Sequence, residues 1–110
     1  LVGYCWGGTV AFLFWARLRL PAVSYYGACT PPFLGHERSN APLMLHFGED
    51  DPMLPPEVVA AHREALPDAN IHVWPGAGHG FNCEQRADYN PAVAGQALDR
   101  TLAFLEIALK

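Results

Sequence analysis

Leu1-Val2-Gly3-Tyr4-Cys5-Trp6-Gly7-Gly8, the first eight residues of the sequence, join the end of an apolar strand to a glycine-rich turn. The residues from Thr9 to about Leu18 are almost all apolar, which predicts a helix that is buried on nearly all sides. Arg17 and Arg19 mark its end, because cations suit the C-terminus of a helix. A strand, a tight turn and a buried helix in this order indicate an α/β protein.

The rest of the chain continues this alternation of short apolar strands and helices. Strands are predicted at residues 22–26, 43–47 and 71–74, and helices at 55–66 and 91–109. The last helix is predicted to be amphipathic, with apolar positions at Val93, Leu98, Leu102, Leu105 and Leu109. The strands lack a clean polar–apolar alternation, so we expect a mostly parallel sheet flanked by helices. Four strands are few for such a sheet, which predicts missing N-terminal strands or a partner that supplies them.

Composition limits the class of protein. The chain has 110 residues, 51% of them hydrophobic and 16% charged, so a single packed domain is expected over 1–110. A net charge of −4 argues against nucleic acid or an anionic membrane as a partner. No apolar run approaches the roughly 20 residues that a bilayer needs, and no secretory signal is visible. Three cysteines without a C-x-x-C pair indicate no disulfide framework, so a cytoplasmic location is expected.

Cys5 is the candidate nucleophile. A nucleophile elbow is a sharp strand-to-helix turn, and the residues two before and two after the nucleophile must be small because the chain doubles back. Gly3 and Gly7 occupy those two positions. The N-terminus of the following helix is expected to favour the thiolate, and the backbone N–H of Trp6 would form half of an oxyanion hole. The alternative is an ordinary glycine-rich turn with a buried structural cysteine.

An acidic turn and a histidine loop follow two later strands. The acidic turn carries Glu49, Asp50 and Asp51, and spacing alone does not decide between Asp50 and Asp51 as the orienting carboxylate. His79 lies between two glycines in the loop after the last strand and is the candidate general base. Nucleophile, acid and base thus come in the order found in α/β-hydrolases, each after a strand, which predicts that all three meet at one edge of the sheet.

The remaining histidines and cysteines have no metal-ligand spacing, so neither a metal nor a cofactor is expected. His62 is interpreted as a helix-surface residue, whereas His46 and His72 are interpreted as strand residues. Cys29 and Cys83 are interpreted as structural or incidental. The aromatic residues of the first helix are expected in the core rather than in a ligand site; these are Phe12, Phe14 and Trp15.

Together these motifs resemble the dienelactone hydrolase (carboxymethylenebutenolidase) family of α/β-hydrolases. The elbow matches G-x-C-x-G-G, Tyr25-Tyr26-Gly27 matches Y-Y-G, and residues 77–81 match A-G-H-x-F. Residues 48–55 match G-x-x-D-x-x-V-P with leucine in place of valine, and residues 100–105 match the final helix. This register implies Asp51 as the triad acid and His79 as the base. The resemblance covers the whole chain but only the second half of a family member.

The resemblance implies hydrolysis of an ester or lactone through an acyl-thioester on Cys5, without a cofactor. Tyr26, Phe81 and Arg86 are the candidate substrate-binding residues. Family members that act on dienelactone use an arginine a few residues beyond the histidine to hold the substrate carboxylate. Here Cys83 stands at that place and Arg86 follows three residues later.

Two other functions remain open from the sequence. The chain could be a non-catalytic α/β remnant or a dimerising module that lacks half of the site. If the 110 residues are the whole natural chain, an intertwined or sheet-extended homodimer is expected to cover the open edge of the sheet. A thioesterase or thiol acyltransferase with the same triad is a third alternative.

Overall fold

The computed structural model describes all 110 residues, and its elements follow the predicted order. Strands β1 to β4 are Val2–Tyr4, Ala22–Tyr25, Leu43–Gly48 and Asn70–Trp74. Helices α1 to α3 are Trp6–Leu18, Pro56–Ala65 and Pro91–Ala108, and a short 3-10 turn spans Pro31–Phe33. The strands form one sheet in the order β1-β2-β3-β4, and every neighbouring pair is parallel. The predicted parallel α/β architecture is therefore confirmed.

Local sequence accounts for most helix ends. Pro56 begins α2, where the missing N–H of proline costs nothing because the first turn has no intrahelical partner for it. Asn90 caps α3, and its side-chain oxygen accepts the backbone N–H of Val93 at 3.1 Å. Helix α1 begins at Trp6, three residues earlier than predicted, so Gly7 and Gly8 lie in its first turn. Glycine disfavours a helix, and the tight turn at Cys5 overrides that preference.

The core is centred on β2 and β3, in which every residue is buried. Phe12 and Trp15 of α1 belong to this core, as predicted, and Phe14 is partly buried against it. The prediction that α1 is buried on nearly all sides is wrong, because Trp6, Val10 and Leu18 are exposed. These exposed side chains lie on the helix that follows β1, which is one of the two edge strands of the sheet.

The predicted apolar face of helix α3 is confirmed in part, since Val93 is buried and Leu105 is partly buried against the core. Its buried residues are Val93, Ala97 and Thr101. Leu98 and Leu102 are 48% and 55% exposed, and Leu109 is exposed as well. The prediction is therefore wrong for Leu98, Leu102 and Leu109, whose side chains point away from the core. No helix is long and apolar enough to cross a membrane.

The prediction that His62 lies on the surface of α2 is also wrong. Its side chain is 1% exposed, Nδ1–H donates to the carbonyl of Val58 at 2.8 Å, and its ring packs edge-on against Phe47 at 4.9 Å. Val59 and Leu66, three before and four after it, are also buried, so helical periodicity turns all three side chains toward the sheet.

His46 is the centre of a buried polar network that ties α3 to the sheet. Trp74 Nε1–H donates to His46 Nδ1 at 3.0 Å, so the ring proton lies on Nε2, which faces Thr101 Oγ1 at 3.0 Å. The hydroxyl of Tyr25 bonds to the same Thr101 oxygen at 2.8 Å. Burial, with a smaller contribution from His72, lowers the pKa of His46 to about 3. A second ring proton would face the indole N–H, so the native network requires neutral His46.

Acid is therefore expected to destabilise the fold. The folded pKa of His46 lies below the ordinary value of about 6.5, so between these values the unfolded chain binds more protons and stability falls as pH falls. Between pH 7 and pH 5 we expect the free energy of unfolding, measured by urea denaturation of the full-length natural protein, to fall by about 2 kcal/mol on account of His46. The pH dependence should be weaker in the His46→Gln variant, and an unchanged dependence would contradict this assignment.

Candidate active site

The turn between β1 and α1 holds Cys5 in a strained conformation. Cys5 has φ 56° and ψ −124°, which residues with a side chain rarely adopt. Its N–H donates to the carbonyl of Tyr25 at 3.0 Å, and its own carbonyl accepts the N–H of Gly8 at 2.9 Å. The turn is thus bonded to the end of β2 on one side and to the first turn of α1 on the other.

The glycines that make this turn possible are Gly3 and Gly8. A Cβ on Gly3 would collide with the carbonyl group of Gly7. A Cβ on Gly8 would lie 2.7 Å from the carbonyl oxygen of Tyr25. A Cβ on Gly7 would meet no atom within 4 Å. The prediction that the side chain at position 7 must be small is therefore wrong. The reason is that Gly7 approaches Gly3 through its carbonyl group.

Asp51 and His79 form a close pair at the same edge of the sheet. Asp51 Oδ2 lies 2.7 Å from His79 Nδ1, and Asp51 is 2% exposed. The other carboxylate oxygen accepts the backbone N–H of Met53 at 2.8 Å. Asp50 and Glu49 are exposed, so of the three acidic residues the structure brings Asp51 to the histidine. Because Nδ1–H donates to Asp51, Nε2 is the nitrogen left free to accept a proton.

The two loops of this pair are bonded to each other. The N–H of Glu49 donates to the carbonyl of Trp74, and the N–H of Asp50 donates to the carbonyl of Ala77, both at 2.9 Å. Gly48 allows this approach, because a Cβ there would collide with the carbonyl of Ala77. The loop after β3 and the loop after β4 therefore reach the site as one bonded unit.

Cys5 and His79 are not hydrogen-bonded to each other in the structure. Burial raises the pKa of the Cys5 thiol above its ordinary value, the charge of Arg86 opposes this, and Cys83 and Asp51 add to it. Desolvation thus outweighs the favourable charge of Arg86, and the pKa moves opposite to the direction expected from the helix N-terminus. A protonated Cys5 needs a base to become a nucleophile.

The other predicted site residues fall into two groups. Tyr26 is 1% and Phe81 0% exposed, so neither ring offers an accessible surface to a substrate. Arg86 is exposed, and its side chain lies over Gly80, where a Cβ would come within 3.2 Å of the guanidinium atoms Nε and Nη1. Trp6 begins α1, so the helix's own hydrogen bonds leave its backbone N–H free.

Some features of the site were not predicted from the sequence. Cys83, interpreted as structural or incidental, lies near Cys5. The left-handed backbone of Tyr26, with φ 42°, gave no sequence signal beyond the glycine that follows it.

Three cavities of 390, 300 and 360 Å³ lie away from the candidate site, and none is lined by Cys5, Asp51 or His79. No group of three or more His, Cys, Asp or Glu side chains is placed to hold a metal ion.

A strained cysteine at a strand-to-helix turn and a histidine–aspartate pair at the same sheet edge are the arrangement typical of α/β-hydrolases. The model of the dienelactone hydrolase family matches residues 1–109. The chain therefore belongs to the dienelactone hydrolase family, as the sequence motifs predicted.

Relatives and a solved structure agree with this assignment. The chain is 34% identical over 122 residues to the "Putative carboxymethylenebutenolidase" of Escherichia coli K12, with 96% of this chain and 45% of that protein covered. It is 31% identical over 127 residues to the protein of the same name from Synechocystis, with 100% of this chain and 50% of that protein covered. The crystal structure of the "Putative Dienelactone Hydrolase" from Klebsiella pneumoniae matches with a TM-score of 0.82 and 31% identity. The match covers 96% of this chain and 50% of that chain. The chain spans about half the length of these relatives.

Proposed function

We propose that Cys5, Asp51 and His79 are the nucleophile, the orienting acid and the general base of a hydrolase that acts on carboxylic esters or lactones. The observation that carries this proposal is the 2.7 Å bond between Asp51 and His79 at the sheet edge where the strained Cys5 also lies. Membership of the dienelactone hydrolase family supports the same reaction class.

The chemistry follows from which atoms are free. His79 Nε2 takes the proton of the Cys5 thiol, and the thiolate sulfur attacks the carbonyl carbon of the ester. The backbone N–H of Trp6 donates to the oxyanion. The carbon–oxygen bond to the leaving alcohol breaks, and His79 returns its proton to that alcohol. Water, deprotonated by His79, then attacks the acyl-thioester and releases the carboxylic acid and the Cys5 thiol.

The raised pKa of Cys5 fits this sequence of steps. Burial, the largest cause, keeps the thiol protonated at rest. The nucleophile then forms only when His79 removes the proton, and Asp51 stabilises the imidazolium that results. A resting thiol is also less open to oxidation than a resting thiolate.

Arg86 supports a preference for substrates that carry a carboxylate. Its guanidinium lies over Gly80, directly after His79, and its charge reaches Cys5. Guanidinium groups bind carboxylates through paired hydrogen bonds. We therefore assign Arg86 to substrate binding, with an anionic ester or lactone as the favoured substrate.

Two features support a need for further protein surface around the site. Strand β1 has one open edge, and large leucines of α3 are exposed. The matched relatives are about twice as long as this chain, and we propose that a comparable stretch completes the sheet and the substrate cleft. A second copy of the chain, which would cover the same open edge in a dimer, is the alternative that these exposed surfaces favour.

The three free cysteines suit a reducing compartment, and we propose a cytoplasmic location.

Replacing Asp51 tests which carboxylate orients the base. Asp51→Asn removes the acceptor for His79 Nδ1–H and favours the wrong tautomer, so kcat for ester hydrolysis by the full-length natural protein should fall about 10,000-fold. Steady-state kinetics against the matched Asp50→Asn variant make the comparison, since Asp50 is exposed and next in sequence. Equal losses in both variants, or no loss in Asp51→Asn, would contradict the assignment.

A further inference from the structure

Tyr26 holds a conformation that costs energy for any residue with a side chain. It follows directly after β2 with φ 42°, in the left-handed region that favours glycine. Its N–H donates to the carbonyl of His46 at 2.8 Å. The carbonyl of the preceding residue, Tyr25, accepts the N–H of Cys5. The strained backbone at Tyr26 is therefore bonded to β3 and lies directly beside the attachment point of the Cys5 turn.

The ring of Tyr26 lies against the loop that carries His79. Its centroid is 5.2 Å from the His79 ring, at an interplanar angle of 60°. The ring of Phe81 is 5.0 Å away on the same loop, with an edge-to-face angle of 77°. Aromatic rings attract each other in these tilted arrangements. Tyr26 is also buried, so no water competes for these contacts.

The His79 loop needs an anchor of this kind. Gly78 and Gly80 flank the histidine and provide no side chains for packing, and Gly80 has φ 77°. The hydrogen bond that His79 Nδ1–H donates to Asp51 fixes the position of Nδ1, but a single hydrogen bond leaves the ring free to tilt about it. The direction of Nε2 depends on that tilt, and Nε2 must face the Cys5 thiol for proton transfer.

We propose that the buried ring of Tyr26 is a positioning residue that fixes the tilt of the His79 imidazole and thereby aims Nε2 at Cys5. This inference deepens the proposed hydrolase and rests on it for the role of His79. The strain at Tyr26 is explained by this role, because the left-handed turn carries the ring from the end of β2 to the histidine. The contacts of the ring with His79 and Phe81 provide the effect.

The test compares Tyr26→Phe with Tyr26→Leu in the full-length natural protein. Tyr26→Phe keeps the ring, so kcat should stay within about twofold. Tyr26→Leu removes it, and kcat should fall about 10- to 100-fold with KM within about twofold, as expected for a misaimed catalytic group. Phe12→Leu is the matched control, because Phe12 is a fully buried ring that packs on Trp15. Its kcat per folded molecule should not change.

A spectroscopic measurement separates this inference from the hydrolase itself. The Nδ1–H proton of His79, bonded to Asp51, should give a downfield proton resonance that is sharp in the natural protein and in Tyr26→Phe. It should broaden or disappear in Tyr26→Leu and remain in Phe12→Leu. Loss in both leucine variants, or a sharp resonance in Tyr26→Leu, would overturn the role of Tyr26. Ester turnover that survives in Cys5→Ala would instead overturn the proposed hydrolase, whatever the resonance shows.

Discussion

The Cys5→Ala variant of the full-length natural protein is expected to lose ester hydrolysis almost completely, with kcat lowered about a million-fold. Alanine keeps the Cβ and removes only the sulfur, so the acyl-thioester cannot form. Without the thiol, water must attack the ester directly, and the reaction is no longer divided into two easier steps by a covalent intermediate. Steady-state hydrolysis of a chromogenic ester, corrected for the buffer rate, measures the loss.

Cys29→Ala is the matched control for this loss. Cys29 is exposed and forms no disulfide. The Cys29→Ala substitution therefore removes the same sulfur atom from a residue outside the site. Its kcat should equal that of the natural protein. The circular dichroism spectrum and melting temperature of Cys5→Ala should also remain close to those of the natural protein, because the elbow is held by backbone hydrogen bonds. Turnover above about 1% in a folded Cys5→Ala protein would contradict the nucleophile assignment.

The Gly3→Ala substitution is expected to have the largest effect on stability. A Cβ at Gly3 would collide with the carbonyl group of Gly7 and lie 3.1 Å from the Cβ of Ala11. Backbone cannot rotate away as the end of a side chain can, so the turn must open to accept the methyl group. We expect a loss of about 3 kcal/mol or more in the free energy of unfolding, at the upper end of the range for overpacking.

Gly7→Ala provides the matched control, with the same added methyl group four residues away. A Cβ at Gly7 meets no atom within 4 Å, and alanine favours a helix more than glycine does. The variant should be as stable as the natural protein or up to about 1 kcal/mol more stable. Chemical denaturation of both variants makes the comparison. Similar stability of Gly3→Ala and Gly7→Ala would show that the elbow is not as tightly closed as the structure indicates.

The sequence predicted the order of elements because its signals are local. Pro56 and Pro91 mark helix starts through chemistry that acts within one turn. The start of α1 was missed for the converse reason. Gly7 and Gly8 disfavour a helix locally, and only the close approach of α1 to the ends of β1 and β2 explains why they are helical.

The sequence allows the residues of the candidate site to be proposed, but it does not give their geometry. The resemblance selected Asp51 over Asp50, whereas spacing could not, because adjacent residues in a turn point in directions that depend on the whole loop. The burial that raises the pKa of the Cys5 thiol is not visible in the sequence, whereas the start of the helix is. The buried His62 and the exposed leucines of α3 show the same limit, since periodicity gives a helix face but not what covers it.

Mapping the acyl-enzyme tests the central claim most directly. The full-length natural protein is mixed with a slowly hydrolysed activated ester, quenched in acid within the first turnover, and digested for peptide mass spectrometry. We predict that the mass of the acyl group appears on the peptide that contains Cys5 and is absent from the Cys5→Ala protein. An acyl group on another residue, or rapid hydrolysis without any acyl-enzyme on Cys5, would contradict the account.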